Sequence, residues 1–193
     1  MAAPAPSAAP WKDNGVYLIT GGAGGLGRLF ARDIARRTSR ATVVLCGRSP
    51  KDDAVLNDLR ALGLNAHYRV ADVSLQDDVD ALVSEIVARH GRIDGVLHAA
   101  GLLRDNFLRN KSRQEIAAVL APKVAGVLHL DRATASHDLD VFLLFASAAG
   151  AWGSAGQGDY AAANAFLDAL AYVRNARIGK GERSGNTIAI DWP

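Results

Sequence analysis

Four side chains in the second half of the chain have the types and spacing to move a proton. Tyr160 and Asn164 stand four residues apart, so on a helix they share one face. Ser147 follows an apolar run that reads as a buried strand, at the carboxyl edge where open α/β sheets bind ligands. A hydroxyl, a phenol and an amide converging on one crevice suit the reduction of a carbonyl. Ser147 would orient the carbonyl oxygen, and Tyr160 would give it a proton as hydride reaches the carbon. A free phenol, with a pKa of about 10, is a sluggish acid at neutral pH, and a nearby ammonium favours its phenolate. Lys123, in the stretch LAPKVAG at 120–126, is the candidate for that charge. Alone, each residue has a bland reading: Ser147 as a strand-end cap, Tyr160 as a half-buried aromatic, Lys123 as a surface cation. In this order on one sheet they make a constellation.

Such chemistry needs a hydride donor, and the N-terminal half carries a place for one. Thr20 leads into Gly21, Gly22, Ala23, Gly24, Gly25, Leu26 and Gly27, in which Gly22, Gly24 and Gly27 fit the G-x-G-x-x-G spacing. The motif follows a strand-like run and opens a helix-like stretch, which is the context it requires. Residues without side chains let the backbone turn tightly and approach a pyrophosphate, whose charge faces the helix N-terminus. The second strand-like run ends Cys46-Gly47-Arg48-Ser49. No carboxylate stands there for the ribose hydroxyls, whereas Arg48, with Ser49 beside it, can pair with a 2′-phosphate. The expected cofactor is therefore NADPH. Asp72 and Val73 are placed to meet the adenine edge. Ala99, Ala100 and Gly101, after His98, offer small residues where backbone must pass close to a cofactor.

The elements that must position these groups alternate along the chain. Short apolar runs lie at Val16–Thr20, Thr42–Cys46, Ala66–Val70, Val96–Ala99, Val141–Phe145 and Thr187–Asp191. Most are apolar throughout, as strands buried on both faces are. Between them fall helix-like stretches at Leu26–Arg37, Lys51–Leu62, Leu75–His90, Arg113–Ser136 and Ala161–Arg177. Ser74, with Gln76 and Asp77 after Leu75, predicts an N-cap with an acidic first turn. Gly63 and Gly91 sit where helix stops belong. The expected fold is α/β: a Rossmann-like doubly wound parallel sheet with right-handed crossovers and helices on both faces.

Composition removes several other classes. The 193 residues fit one domain, 49% are apolar, and the net charge is only +2, with no Lys/Arg block long enough to track a phosphate backbone. Nucleic acid is thus not the expected partner. No run approaches the roughly 18 apolar residues a membrane span needs. The single Cys46 excludes an intramolecular disulfide and a cysteine metal cluster, and no metal site is expected. One thiol fits a reducing cytoplasm. Residues 1–11, rich in Ala and Pro, read as a solvated linker ahead of a domain over 12–193.

These motifs carry a resemblance. The chain is similar to the short-chain dehydrogenases/reductases and, more narrowly, to the catalytic subdomain of polyketide synthase ketoreductase domains. TGGAGGLG at 20–27, HAAG at 98–101, LAPKVAG at 120–126 and GQGDYAAANAFLDALA at 156–171 carry the narrower match. Ordinary short-chain reductases hold Tyr-x-x-x-Lys. Here Asn164 takes the lysine's place and Lys123 sits where those enzymes hold asparagine, a swap characteristic of the synthase domains. The resemblance covers about residues 12–193. It implies NADPH-dependent reduction of a β-ketoacyl thioester, held on an acyl carrier protein by phosphopantetheine among neighbouring synthase domains. LRD at 103–105 and GERSGNTIAIDWP at 181–193 look most like assembly lines with separately supplied acyltransferases.

The same resemblance marks departures. Family domains usually carry a structural subdomain ahead of the catalytic one and a lid helix and last strand beyond Trp-Pro, so an uncovered sheet edge is expected. Phe145-Ala146-Ser147 has alanine where Ser-Ser is common. In the family an aspartate closing the motif begun by Leu103, here Asp105, marks domains giving the D-configured alcohol. A tryptophan eight residues before the tyrosine, here Trp152, marks those giving the L product. Asp105 is weighted more, because a tryptophan also packs as plain wall. Gln157 is not the histidine associated with inverted α-methyl substrates. Two other readings stay open: a cofactor-binding fragment that does not turn over, and a free-standing reductase of small ketones.

Overall fold

The computed structural model describes residues 10–50 and 53–193, so most of the expected linker, together with Lys51 and Asp52, lies outside the described residues. Six strands form one parallel sheet: β1 (Val16–Thr20), β2 (Thr42–Gly47), β3 (Asn65–Val70), β4 (Gly95–His98), β5 (Val141–Ser147) and β6 (Asn186–Trp192). Their order is β3-β2-β1-β4-β5-β6. The order reverses between β1 and β4, whose carboxyl ends, Thr20 and His98, pair in register. A doubly wound sheet opens its ligand crevice at that reversal.

Successive side chains of a strand point to opposite faces, and both faces are covered here. Val16 and Leu18 join one apolar cluster with Val79, Leu82, Val127 and Leu167. Tyr17 and Ile19 join the other with Ala31, Ile34, Leu56 and Leu59. Helices α1 (Gly25–Arg37) and α2 (Ala54–Ala61) thus cover one face. Helices α3 (Gln76–His90), α5 (Ala125–Ala133) and α7 (Gly158–Ile178) cover the other.

The expected fold stands, with two corrections to the elements. The stretch Arg113–Ser136 is two helices, α4 (Arg113–Lys123) and α5, which meet at Val124 (φ −93°, ψ −65°). Pro122 removes a backbone donor two residues before the break. Ser74 is not the N-cap of α3. Leu75 takes that place without a side-chain bond, and the Ser74 hydroxyl donates instead to Asp72 at 2.7 Å. The capping box in the chain belongs to α4: Ser112 accepts from the Glu115 N–H, and Glu115 accepts from the Ser112 N–H at 2.8 Å. The Ser-x-x-Glu spacing at 112–115 was the sequence signal for it. A five-residue helix, α6 (Ala148–Trp152), follows β5 directly. Gly91 ends α3 in the left-handed region (φ +76°), as its position predicts.

Behind the crevice, Phe142 on β5 is fully buried beneath the Arg174 guanidinium, 4.4 Å from the ring centroid. Arg174 in turn donates to Asp131 of α5 at 2.9 Å and to Thr187 of β6 at 2.8 Å, joining three elements through one cation. Phe142→Ala removes the ring this cation rests on. It should cost about 3–5 kcal/mol, read as a fall in the urea midpoint.

Candidate active site

At the carboxyl edge of the sheet the glycine-rich loop turns into α1. Three glycines are there for the chain's own packing. A Cβ on Gly21, whose φ is +63°, would stand 2.7 Å from the Ala99 carbonyl oxygen. One on Gly22 would stand 2.6 Å from the Ile19 carbonyl, and one on Gly27 2.5 Å from the Gly22 Cα. Gly24 and Gly25 differ. A Cβ on Gly25 would meet nothing within 4 Å, and one on Gly24 would meet only the Gly21 carbonyl, at 3.1 Å. Gly24 instead borders a cleft of about 390 Å³ with Arg48, Asp72, Val73, Ala99, Ala100 and Gly101. A second cleft, of about 220 Å³, adds Ala23, Ser49 and Tyr68 at the far end. This cradle before a helix N-terminus, with a guanidinium beyond it, fits the pyrophosphate of a dinucleotide. A third cleft of about 240 Å³ adjoins the first at Ala99 and Gly101. It brings together Leu26, Leu103, Lys123, Ser147 and Tyr160.

Buried hydrogen bonds set the floor of that third cleft. Lys123, 4% exposed, donates from Nζ to the Phe145 carbonyl at 2.7 Å, two residues before Ser147. Burial lowers the Lys123 pKa to about 8, opposed in part by the charge of Asp168. His98 lies behind it, fully buried. Its Nε2 is 2.9 Å from the Pro122 carbonyl, which can only accept, so the ring proton resides on Nε2 and Nδ1 accepts from the Thr20 hydroxyl at 2.7 Å. The Thr20 oxygen also accepts the Ala100 N–H at 3.3 Å. Burial, with the Lys123 charge adding, pushes His98 down to about 3, so it stays neutral. The relay ties β1, β4 and the end of α4 together one residue from Lys123.

Ser147 ends β5, and its Oγ accepts the Ala149 N–H at 3.2 Å, so it caps α6 as well as facing the cleft. Asn164, fully buried one turn below Tyr160, donates from Nδ2 to the Tyr160 carbonyl at 2.7 Å. Its Oδ1 has no partner among the described residues and stays open to a donor. Asp105 accepts from Gln157 at 3.0 Å, which joins two of the expected substrate-facing residues in one contact. Trp152 is 85% exposed on α6 and borders none of these clefts, so the structure does not bring it to the site.

Several site residues escaped sequence reasoning. Tyr68 donates to the Ser49 carbonyl at 2.7 Å and so steadies the loop that carries Arg48, a tertiary contact with no local signal. Asp168 continues the Tyr160–Asn164 face by four more residues, a spacing that could have found it. Its pKa is raised, first by burial and then by the neighbouring Asp191. Trp192 joins the third cleft from β6. Among the described residues, no helix is long and apolar enough to cross a membrane, and no group of ligating side chains could hold a metal.

Residues 15–193 match the KR domain family model. The chain belongs to the KR domain family. It is 52% identical over 187 residues to polyketide synthase PksL of Bacillus subtilis, covering 95% of this chain and 4% of that synthase. It superposes with a TM-score of 0.94 on a ketoreductase domain from the bacillaene assembly line, 48% identical. That match covers 96% of this chain and 45% of that one. A more distant likeness, 26% identical with a TM-score of 0.82, is to an NADH-dependent reductase complexed with NAD, covering 93% of this chain and 79% of that one. The chain therefore spans less than half the length of the first two relatives. As a KR domain it is an oxidoreductase of the short-chain dehydrogenase/reductase type, a family that uses a nicotinamide cofactor.

The buried Lys123 has a consequence for stability. Its folded pKa, about 8, lies below the ordinary 10.5. The unfolded chain holds that proton more tightly, so the penalty is fully present below about pH 8 and fades as pH rises toward 10.5. Lys123→Met should raise stability at pH 7 by about 1–3 kcal/mol, after the lost Phe145 bond is deducted. Denaturant melts at pH 7 and pH 10 check this, with the gain shrinking at the higher pH.

Proposed function

We propose that this domain reduces a β-ketoacyl thioester, carried on an acyl carrier protein among neighbouring polyketide synthase domains, to the β-hydroxyacyl thioester with NADPH. The observation that carries the reading is the third cleft, where Lys123, Ser147 and Tyr160 meet beside the dinucleotide-shaped trough. The backbone around Gly24, at the start of α1, would receive the pyrophosphate. Arg48 and Ser49 would hold the 2′-phosphate, and Asp72 and Val73 would border the adenine. Bound NADPH would supply the hydride. Ser147 donates a hydrogen bond to the ketone oxygen and fixes its direction, and the Tyr160 hydroxyl protonates that oxygen as negative charge builds on it. The Lys123 ammonium, 5.8 Å from the Tyr160 ring centroid, favours the resulting phenolate. Asn164 holds the Tyr160 turn of α7 and leaves Oδ1 as an acceptor for a proton-carrying group.

Asp105 and Leu103 belong to the loop beside the cleft, whereas Trp152 is 85% exposed and does not line it, which supports the D-configured alcohol. Chiral analysis of the product formed from a β-ketoacyl thioester checks this, and an L product would overturn it. Tyr160→Phe should reduce turnover by about 100-fold or more while NADPH affinity stays within about twofold, because only the proton donor is lost. Loss of NADPH binding in that variant would contradict the assigned role. Arg48→Ala should raise the Kd for NADPH by about tenfold or more and leave that for NADH nearly unchanged, since only NADPH carries the 2′-phosphate. Fluorescence titration with both nucleotides reads this directly.

A further inference from the structure

The segment between Gly101 and α4 holds only one short 3₁₀ turn, Leu108–Asn110, and much of it is exposed. It is nevertheless tied at several points to residues 156–159, which lead into Tyr160. The Asn106 N–H donates to the Gly156 carbonyl at 2.9 Å, and Gln157 donates to Asp105 at 3.0 Å. Leu108 packs where a side chain on Gly158 would stand, 3.0 Å from its Cβ position. At the far end, Lys111 donates from Nζ to both oxygens of Asp159, at 2.6 and 2.5 Å, with side chains only 2% and 1% exposed. The same Asp159 Oδ1 accepts the Tyr160 N–H at 3.0 Å.

A buried ion pair is weak support for stability, because desolvation of both charges offsets most of their attraction, and an apolar pair of similar size would serve as well. What such a pair does supply is a fixed geometry. N–H groups in the first turn of a helix have no partner within the helix. Here one of them, on the reacting tyrosine itself, is held by a carboxylate that Lys111 clamps from the segment before α4. We propose that Lys111 and Asp159 are a positioning pair. They set where the Tyr160 hydroxyl meets the ketone, and they join that setting to the loop carrying Leu103 and Asp105. This rests on Tyr160 as proton donor. Neither residue lines the three clefts. Their loss acts through the placement of the phenol, and a misplacement of about 1 Å costs on the order of 100-fold in rate.

The test compares the wild-type protein with Lys111→Met, Lys111→Arg, Asp159→Asn and the double variant Lys111→Met/Asp159→Asn. For each, kcat with a β-ketoacyl thioester is expressed per NADPH-binding site, and the solvent deuterium isotope effect and Tm are measured. Lys111→Met and Asp159→Asn should each lower kcat per site by about 10- to 100-fold and enlarge the isotope effect, as a misaligned proton transfer becomes limiting. The Kd for NADPH should stay within about twofold. The double variant should lose little more than the worse single one, because the two residues act as a unit, and Lys111→Arg should retain most activity. A fall in Tm with kcat per site and isotope effect unchanged would overturn the proposal and leave the pair a purely structural contact. If Tyr160→Phe turned over normally, the proton-donor reading would fail instead, and the pair's role with it.

Discussion

One hydrogen bond holds the chemistry of this domain together: the Lys123 ammonium on the Phe145 carbonyl, 2.7 Å away and almost wholly out of water. It joins the last residue of α4 to the strand that ends in Ser147. A buried cation without a carboxylate at contact distance is costly, and the cost appears as a pKa lowered to about 8. The same lowering keeps the ammonium close to the pH range in which a proton must be handed on. The fold thus places an unfavourable charge where the proposed reduction would use one, and apolar packing on both faces of the sheet has to compensate.

The parts around that bond keep it from relaxing. Pro122 and the break at Val124 turn the chain so that Lys123 ends one helix as another begins. The neutral His98, fixed between Thr20 and the Pro122 carbonyl, locks the end of α4 to the two central strands. Because Thr20 also holds the Ala100 N–H, the start of the glycine-rich loop, the Ala99–Gly101 turn and Pro122, the neighbour of Lys123, share one network. The first and third clefts are therefore not independent; they meet at Ala99 and Gly101.

On the opposite wall, the segment 102–112 and the start of α7 hold each other through Asp105–Gln157 and Lys111–Asp159. Lys123 approaches Tyr160 from the sheet side, and Lys111 fixes it from the loop side. The two lysines differ in their surroundings. Lys111 has its charge matched at contact distance by a carboxylate, whereas Lys123 has only a carbonyl, with the Asp168 charge further off.

The sheet, its faces and the general place of the crevice were legible in the sequence. Six apolar runs and the helix-like stretches between them leave a doubly wound parallel sheet as the packing that buries both faces of each strand. The glycine spacing, the carboxylate-free end of β2, and the order of Lys123, Ser147, Tyr160 and Asn164 were legible too, because local geometry demands particular residue types at those positions. The division of 113–136 into two helices was half visible, as Pro122 within the stretch. Ser74 looked like a cap, since cap preference is a property of type and neighbours; which oxygen a hydroxyl reaches depends on where the chain goes next. Only the tertiary structure decided that Trp152 points outward while Asp105 turns to Gln157, that His98 is a neutral relay, and that Lys111 meets Asp159 across 48 positions of sequence. Contacts of that kind depend on how separate segments close over the sheet, and no periodicity or local propensity encodes the partner of a buried polar group.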